Sequence, residues 1–142
     1  WTAEDRTNFD GRTTALSNQY SGYSSVQGMR VNGQLTLGEN TADNGGVRIA
    51  FMALQETMAA KGADAKKPID GFTPEQRFFL GFAQVWCENT ATAELERRAV
   101  IDPHSPGEFR VNGVVSNSAD FRQAFSCREG QPMVRAQSCR VW

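Results

Sequence analysis

Leu35-Thr36-Leu37-Gly38-Glu39-Asn40-Thr41-Ala42-Asp43-Asn44-Gly45-Gly46 opens a stretch that runs to Lys61 without a proline. Leu35, Ala42, Gly46, Ile49, Ala50, Ala53 and Leu54 recur along it at helical spacing. The pattern predicts one long, mostly buried helix from Leu35 to Lys61, and with it a mainly α fold. Inside that helix Glu39 and Asp43 stand at i and i+4, on one face, where like charges repel by a few tenths of a kcal/mol when exposed and by more when buried. Such a pair suits a solvated helix edge, or a cation brought to it: a metal ion, an imidazolium or an arginine from another element. Gly45-Gly46 costs on the order of 1 kcal/mol per residue relative to alanine. A close crossing of another element beside the acidic pair is expected there.

Outward from this helix the punctuation is clear. Thr2-Ala3-Glu4-Asp5 reads as a capping box opening a helix from Ala3 to Tyr20. The Ser-, Gly- and Asn-rich segment from Ser21 to Gly33 reads as a loop or hairpin arm, with at most a short strand over Met29 to Val31 before an Asn32-Gly33 turn. Gly62 stops the long helix, and a solvated connection reaches Gly71. Thr73 as cap, Pro74 at the first position and Gln76 three beyond the cap start another helix through Phe78, Phe79, Leu80, Phe82, Val85 and Trp86, apolar enough to need packing on several sides. A more polar helix over Thr90 to Val100 is ended by Asp102-Pro103-His104-Ser105-Pro106-Gly107, an irregular loop carrying the one histidine of the chain. Ser118-Ala119-Asp120 starts a last helix through Phe121 and Phe125, and Cys127 to Trp142 reads as coil.

Bulk properties bound the function. The 142 residues suffice for a single unit with its own core. Fifteen Lys and Arg against sixteen Asp and Glu, with no basic run, favour neither nucleic acid nor an anionic membrane as partner. No stretch has the roughly 18 apolar residues of a membrane span, and Trp1 to Asp5 shows no signal-peptide pattern. Cys87, Cys127 and Cys139 are odd in number and lack C-x-x-C spacing, so at least one is a free thiol or pairs outside this chain. Buried structural thiols are the other reading. Asp102 stands two residues before His104, near enough to orient the ring so that an imidazolium could stabilise a developing oxyanion. Arg110 offers a planar fork that could grip a carbonyl, or form an ordinary surface ion pair.

The string from Val31-Asn32-Gly33-Gln34 through Leu35 to Gly46 resembles the third zinc-ligand motif of the neprilysin and endothelin-converting-enzyme family of zinc metalloendopeptidases, which are gluzincins. Phe78-Phe79-Leu80-Gly81-Phe82-Ala83-Gln84-Val85-Trp86-Cys87, Asp102-Pro103-His104-Ser105-Pro106-Gly107-Glu108-Phe109-Arg110 and Cys139-Arg140-Val141-Trp142 follow in family order, so the resemblance covers essentially the whole chain. Val111-Asn112-Gly113-Val114-Val115-Ser116-Asn117 is most similar to bacterial members.

The resemblance implies that residues 1–142 are the helical C-terminal part of a metallopeptidase catalytic domain, an incomplete domain. It implies Glu39 as a zinc ligand and Asp43 as acceptor from a zinc-bound histidine. His104, assisted by Asp102, would donate to the oxyanion; Arg110 would hold a substrate backbone carbonyl; Val85 and Trp86 would line the pocket for the large apolar side chain after the scissile bond. The H-E-x-x-H helix that supplies two histidine ligands and the general-base glutamate is absent. A catalytic zinc needs three protein ligands, so this chain alone is expected to be inactive and to bind the metal weakly. Many members also carry a cysteine at the position of Ala15, paired with the one matching Cys139, while Cys87 and Cys127 would reach cysteines of the N-terminal part. The expected partners are a peptide substrate and that N-terminal part, and the expected location is extracellular or periplasmic. The alternative is a stand-alone, non-catalytic helical module for peptide binding or assembly.

Overall fold

A computed structural model describes residues 1–24 and 28–141. Thr2 caps the first helix: its hydroxyl accepts from the Asp5 amide at 3.0 Å and Asp5 accepts in return from the Thr2 amide. This closed capping box opens α1 (Ala3–Ser21). The short strand expected over Met29 to Val31 is reduced to one antiparallel bridge between Ser24 and Arg30, beside which the Val31 amide donates to the Tyr23 carbonyl. No neighbouring strand among the described residues extends that bridge into a ladder. Residues 25–27 of the expected arm lie outside the described residues, as does Trp142 of the terminal motif.

The long helix is present as α2 (Leu37–Lys61). It starts after Leu35 because Asn32 first organises a turn: its side chain accepts from the Leu35 amide and its carbonyl accepts from the Thr36 amide. Gly62 stops the helix at φ 73, donating back to the Met58 carbonyl. A 3₁₀ turn, Ala63–Lys66, leads to α3 (Pro74–Val85), which opens with the expected reciprocal box between Thr73 and Gln76. Then come α4 (Thr92–Ile101), α5 (Gly107–Val115) and α6 (Ala119–Ala124), the last capped by the Ser118 hydroxyl.

Helix α5 is missing from the sequence reading. Two glycines and three valines within nine residues depress helix propensity, and Pro106 at the cap brings no side-chain hydrogen bond. Tertiary packing overrides that weak propensity: Phe109, Val114 and Val115 are buried between the neighbouring helices.

Two apolar clusters hold the helices. Leu16, Tyr20, Val31, Phe109 and Val141 join α1 and α5 to the irregular segments that bear Val31 and Val141. Val47, Phe51, Phe79, Val114 and Val115 join α2, α3 and α5, with Phe78 and Phe121 packed around them. Helices α2 and α5 contribute to the seam between the clusters, and this seam positions the site. Gln76 Nε2 adds a polar tie, donating to the Ala124 carbonyl and linking α3 to α6.

The buried side of α2 is formed by Asn40, Thr41, Gly45, Val47, Phe51 and Met58. Ile49 and Met52 are exposed at 67% and 47%, and Ala42, Gly46, Ala50 and Ala53 are exposed with them. The helix is apolar on more than one side, and the described elements cover only one of them. The close crossing expected at Gly45-Gly46 is not made at Gly46, where an added Cβ would meet nothing within 4 Å. Gly45 is buried, and a tight approach occurs at Gly113 of α5. A Cβ there would lie 2.5 Å from the Tyr20 hydroxyl, whose ring is fully buried.

Gly113→Ala is therefore expected to lower the unfolding free energy by about 2 kcal/mol through overpacking against α1. Urea denaturation of the chain checks this, and an unchanged midpoint would contradict the packing. The thiols of Cys87, Cys127 and Cys139 are all free. Burial pushes the Cys139 thiol upward, and its Sγ donates to the Arg12 carbonyl at 3.3 Å.

Candidate active site

The acidic pair on α2 is answered by an arginine from another element. Arg110 lies one turn into α5, and its Nε and Nη2 donate to the two carboxylate oxygens of Asp43 at 2.6 and 2.7 Å, a bidentate pair. Nη2 also reaches Glu39 Oε2 at 3.3 Å. Burial disfavours the guanidinium charge, but the hydrogen bonds and charge of Asp43, reinforced by Glu39, hold Arg110 above its ordinary value. Of the cations that the i, i+4 spacing admits, the arginine is thus in place.

Arg110 also lies under an aromatic lid, its guanidinium carbon 3.9 Å from the centre of the Trp86 ring. Gly107 permits this, because a Cβ at that position would stand 2.7 Å from the Trp86 carbonyl. The first turn of α5 can therefore press against the end of α3 and carry Arg110 beneath the indole. With both partners nearly buried, Arg110→Ala strands the Asp43 carboxylate and is expected to cost about 3 kcal/mol of stability. Arg110→Lys should recover only part of it, since one ammonium cannot reproduce the fork. Equal stability of wild type and Arg110→Ala in denaturant titration would contradict this.

His104 approaches from the loop between α4 and α5. Asp102 Oδ1 accepts from the His104 amide at 2.9 Å and faces ring Nδ1 at 2.7 Å. The amide hydrogen bond, followed by the ring contact, holds the Asp102 carboxyl below the usual aspartate range. An ionised carboxylate only accepts, so Nδ1 carries the proton. Nε2 then faces Glu39 Oε2 at 3.4 Å. Glu39 is half-exposed, its Oε2 between the imidazole and the guanidinium.

Five of the residues singled out from the sequence, Glu39, Asp43, Asp102, His104 and Arg110, therefore meet in one cluster, and Trp86 covers its arginine. Val85 points elsewhere: it is 74% exposed and lines an open groove between α2 and α3 with Ala42, Gly46 and Phe82. Trp86, Asp102, His104 and Arg110 border a different cavity, of about 280 Å³, with Leu95 and Arg98 of α4 on its far side.

Two further polar residues belong to the site and went unread in the sequence. Asn40 and Ser105 are buried, and the Ser105 hydroxyl donates to Asn40 Oδ1 at 2.8 Å. Each is the chain neighbour of a singled-out residue, which is the only local signal either carries.

Among the described residues no three His, Cys, Asp or Glu side chains are grouped to hold a metal ion, whereas a catalytic zinc takes three protein ligands. Glu39 could supply one carboxylate. No helix among the described residues is long and apolar enough to cross a membrane.

The sequence profile of Peptidase family M13 matches residues 1–141. Endothelin-converting enzyme 1 of Homo sapiens is 46% identical over 134 residues, covering 94% of this chain and 17% of that protein. Neprilysin-3 of Drosophila melanogaster is 40% identical over 143 residues, covering 100% of this chain and 18% of its own length. A crystal structure of the Mycobacterium tuberculosis zinc metalloprotease Zmp1 with an inhibitor matches with a TM-score of 0.91 at 42% identity, over 100% of this chain and 22% of that one. The chain thus spans less than a fifth of the curated relatives it matches.

Proposed function

This chain belongs to peptidase family M13, and from that premise we propose that it is the C-terminal part of a zinc-dependent metalloendopeptidase. It supplies one zinc ligand together with the residues that hold the substrate and the transition state. The observation that carries the reading is the convergence of Glu39 and Asp43 from α2, Arg110 from α5 and the Asp102-His104 pair from the intervening loop. A structural ion pair needs only Arg110 and Asp43. The added imidazole, held by its own carboxylate and turned toward Glu39, is a surplus that stability alone does not call for.

In this reading Glu39 is the carboxylate ligand, and the remaining ligands come from residues outside this chain. His104 donates a hydrogen bond to the oxygen that gains charge as a peptide carbonyl is attacked. Asp102 holds the ring through Nδ1–H, and in the imidazolium, which carries a proton on each nitrogen, Nε2–H is the donor. Asp43 holds Arg110 and accepts from a metal-bound histidine of the missing part. Nη1 of Arg110 is the nitrogen left for a substrate backbone carbonyl. Trp86 walls the cavity that takes the apolar side chain after the scissile bond, whereas Val85 lines the separate groove between α2 and α3 and does not border it. The parent acts on peptides in an extracellular or periplasmic setting, where Cys87 and Cys127 can pair with cysteines beyond this chain.

The test is hydrolysis of quenched fluorogenic peptides by the full-length protein, before and after zinc chelation. Activity should vanish with the chelator and return with added zinc, while residues 1–142 alone should neither cleave the peptides nor take up stoichiometric zinc. Absence of cleavage would refute the peptidase reading, and cleavage indifferent to chelation would refute its dependence on zinc. Tight one-to-one zinc binding by the isolated chain would refute the assignment of a single ligand to it.

A further inference from the structure

The hydrogen bond between Ser105 and Asn40 is one link of a buried chain whose direction is fixed throughout. The Thr36 hydroxyl donates to the Asn32 carbonyl at 3.0 Å, which spends its one proton. Toward Asn40 that oxygen can then only accept, and Asn40 Nδ2 donates to it at 2.9 Å. This sets the orientation of the Asn40 amide, leaving Oδ1 toward Ser105, whose hydroxyl must donate. Thr36, Asn40 and Ser105 are exposed at 3%, 0% and 4%, so water does not replace a lost link cheaply.

The placement of this chain connects it to the chemistry. Asn40 follows Glu39 on α2, and Ser105 follows His104 in the loop. The Asp102-His104 pair is internal to the loop, so it orients the ring relative to the loop but does not locate the loop on α2. The loop's ends are held elsewhere: the Asp102 amide donates to Arg98 of α4, and Pro106 accepts from the Phe109 and Arg110 amides of α5. Pro103 and Pro106 keep the segment between from folding into either helix. Ser105 is where its middle is tied to the turn of α2 that bears Glu39.

We propose that Asn40 and Ser105 are positioning residues that fix the distance between His104 and Glu39 by clamping the histidine loop onto α2 through their buried hydrogen bond. The proposal rests on the peptidase reading above. The clamp acts through His104 and touches no substrate. A loop free to drift by an ångström still binds peptide through the rest of the cleft, yet brings the imidazole late to the developing charge, so the loss falls on kcat and leaves KM in place.

The experiment uses the full-length, zinc-loaded protein with Asn40→Ala, Ser105→Ala, their double variant and Ser105→Thr. Each alanine variant is expected to lower kcat about tenfold, with KM and zinc content unchanged. The double variant should be no slower than the slower single one, because both remove the same hydrogen bond. Ser105→Thr keeps the hydroxyl and should recover most of the rate. Unchanged kcat in the alanine variants, losses that multiply in the double variant, or a change confined to KM would overturn the clamp. Amide hydrogen exchange at His104 and Ser105 gives a second readout that needs no turnover: it should quicken in Ser105→Ala and return toward wild type in Ser105→Thr. Wild-type protein that cleaves no peptide defeats the peptidase reading, whereas unchanged exchange in Ser105→Ala defeats the clamp itself.

Discussion

Glu39→Gln in the full-length protein is expected to abolish zinc retention and lower kcat/KM by about three orders of magnitude, the scale of losing the metal's contribution to the reaction. Glutamine keeps the length and hydrogen-bonding capacity of the side chain but removes the negative charge on which a carboxylate ligand depends. The change should leave the metal-free fold almost untouched. Glu39 is half-exposed, and its 3.3 Å contact with Arg110 is secondary to the bidentate pair that Arg110 makes with Asp43. Metal analysis after dialysis, peptide turnover and thermal unfolding of the apo-protein separate these effects. A Glu39→Gln protein that keeps stoichiometric zinc and full activity would remove Glu39 from the ligand set.

His104→Ala should separate rate from metal. Deleting one preorganised donor to a developing oxyanion typically costs about 10² to 10³ in kcat, and that loss is expected here with zinc content unchanged. The geometry supports the separation: the ring is held by Asp102 through Nδ1, and Nε2 stands 3.4 Å from Glu39, near the ligand without replacing it. Asp102→Asn tests the orientation. A neutral amide in that place removes the negative charge that favours the imidazolium, the form in which Nε2–H donates while Nδ1–H is held, so the rate should fall though the imidazole remains. Loss of zinc from His104→Ala, or an undiminished rate, would contradict the role.

The helix boundaries were mostly legible because each is set by chemistry between near neighbours. Thr2 and Thr73 close their boxes with residues three positions on, and Gly62 supplies the positive φ at which α2 ends. Helix α5 was not legible. Its helical state depends on Phe109, Val114 and Val115 finding partners on other elements, and nothing within its nine residues announces that. The buried side of α2 was likewise hidden, because apolar spacing marks every side able to pack and does not say which one this chain covers.

At the site, the sequence by itself determined the acidic pair at Glu39 and Asp43, the aspartate placed to hold His104, and the order of motifs that marks the family. These are relations across two or four residues, and a helix or a tight loop enforces them wherever it forms. Only the tertiary structure decided which cation answers the pair, that Ser105 meets Asn40, and that Val85 and Trp86 face different cavities. Arg110 and Asp43 are 67 residues apart, and Ser105 and Asn40 are 65 apart. Their meeting is set by how α5 crosses α2 and α3, which in turn follows from close approaches such as Gly107 against Trp86 and Gly113 against Tyr20.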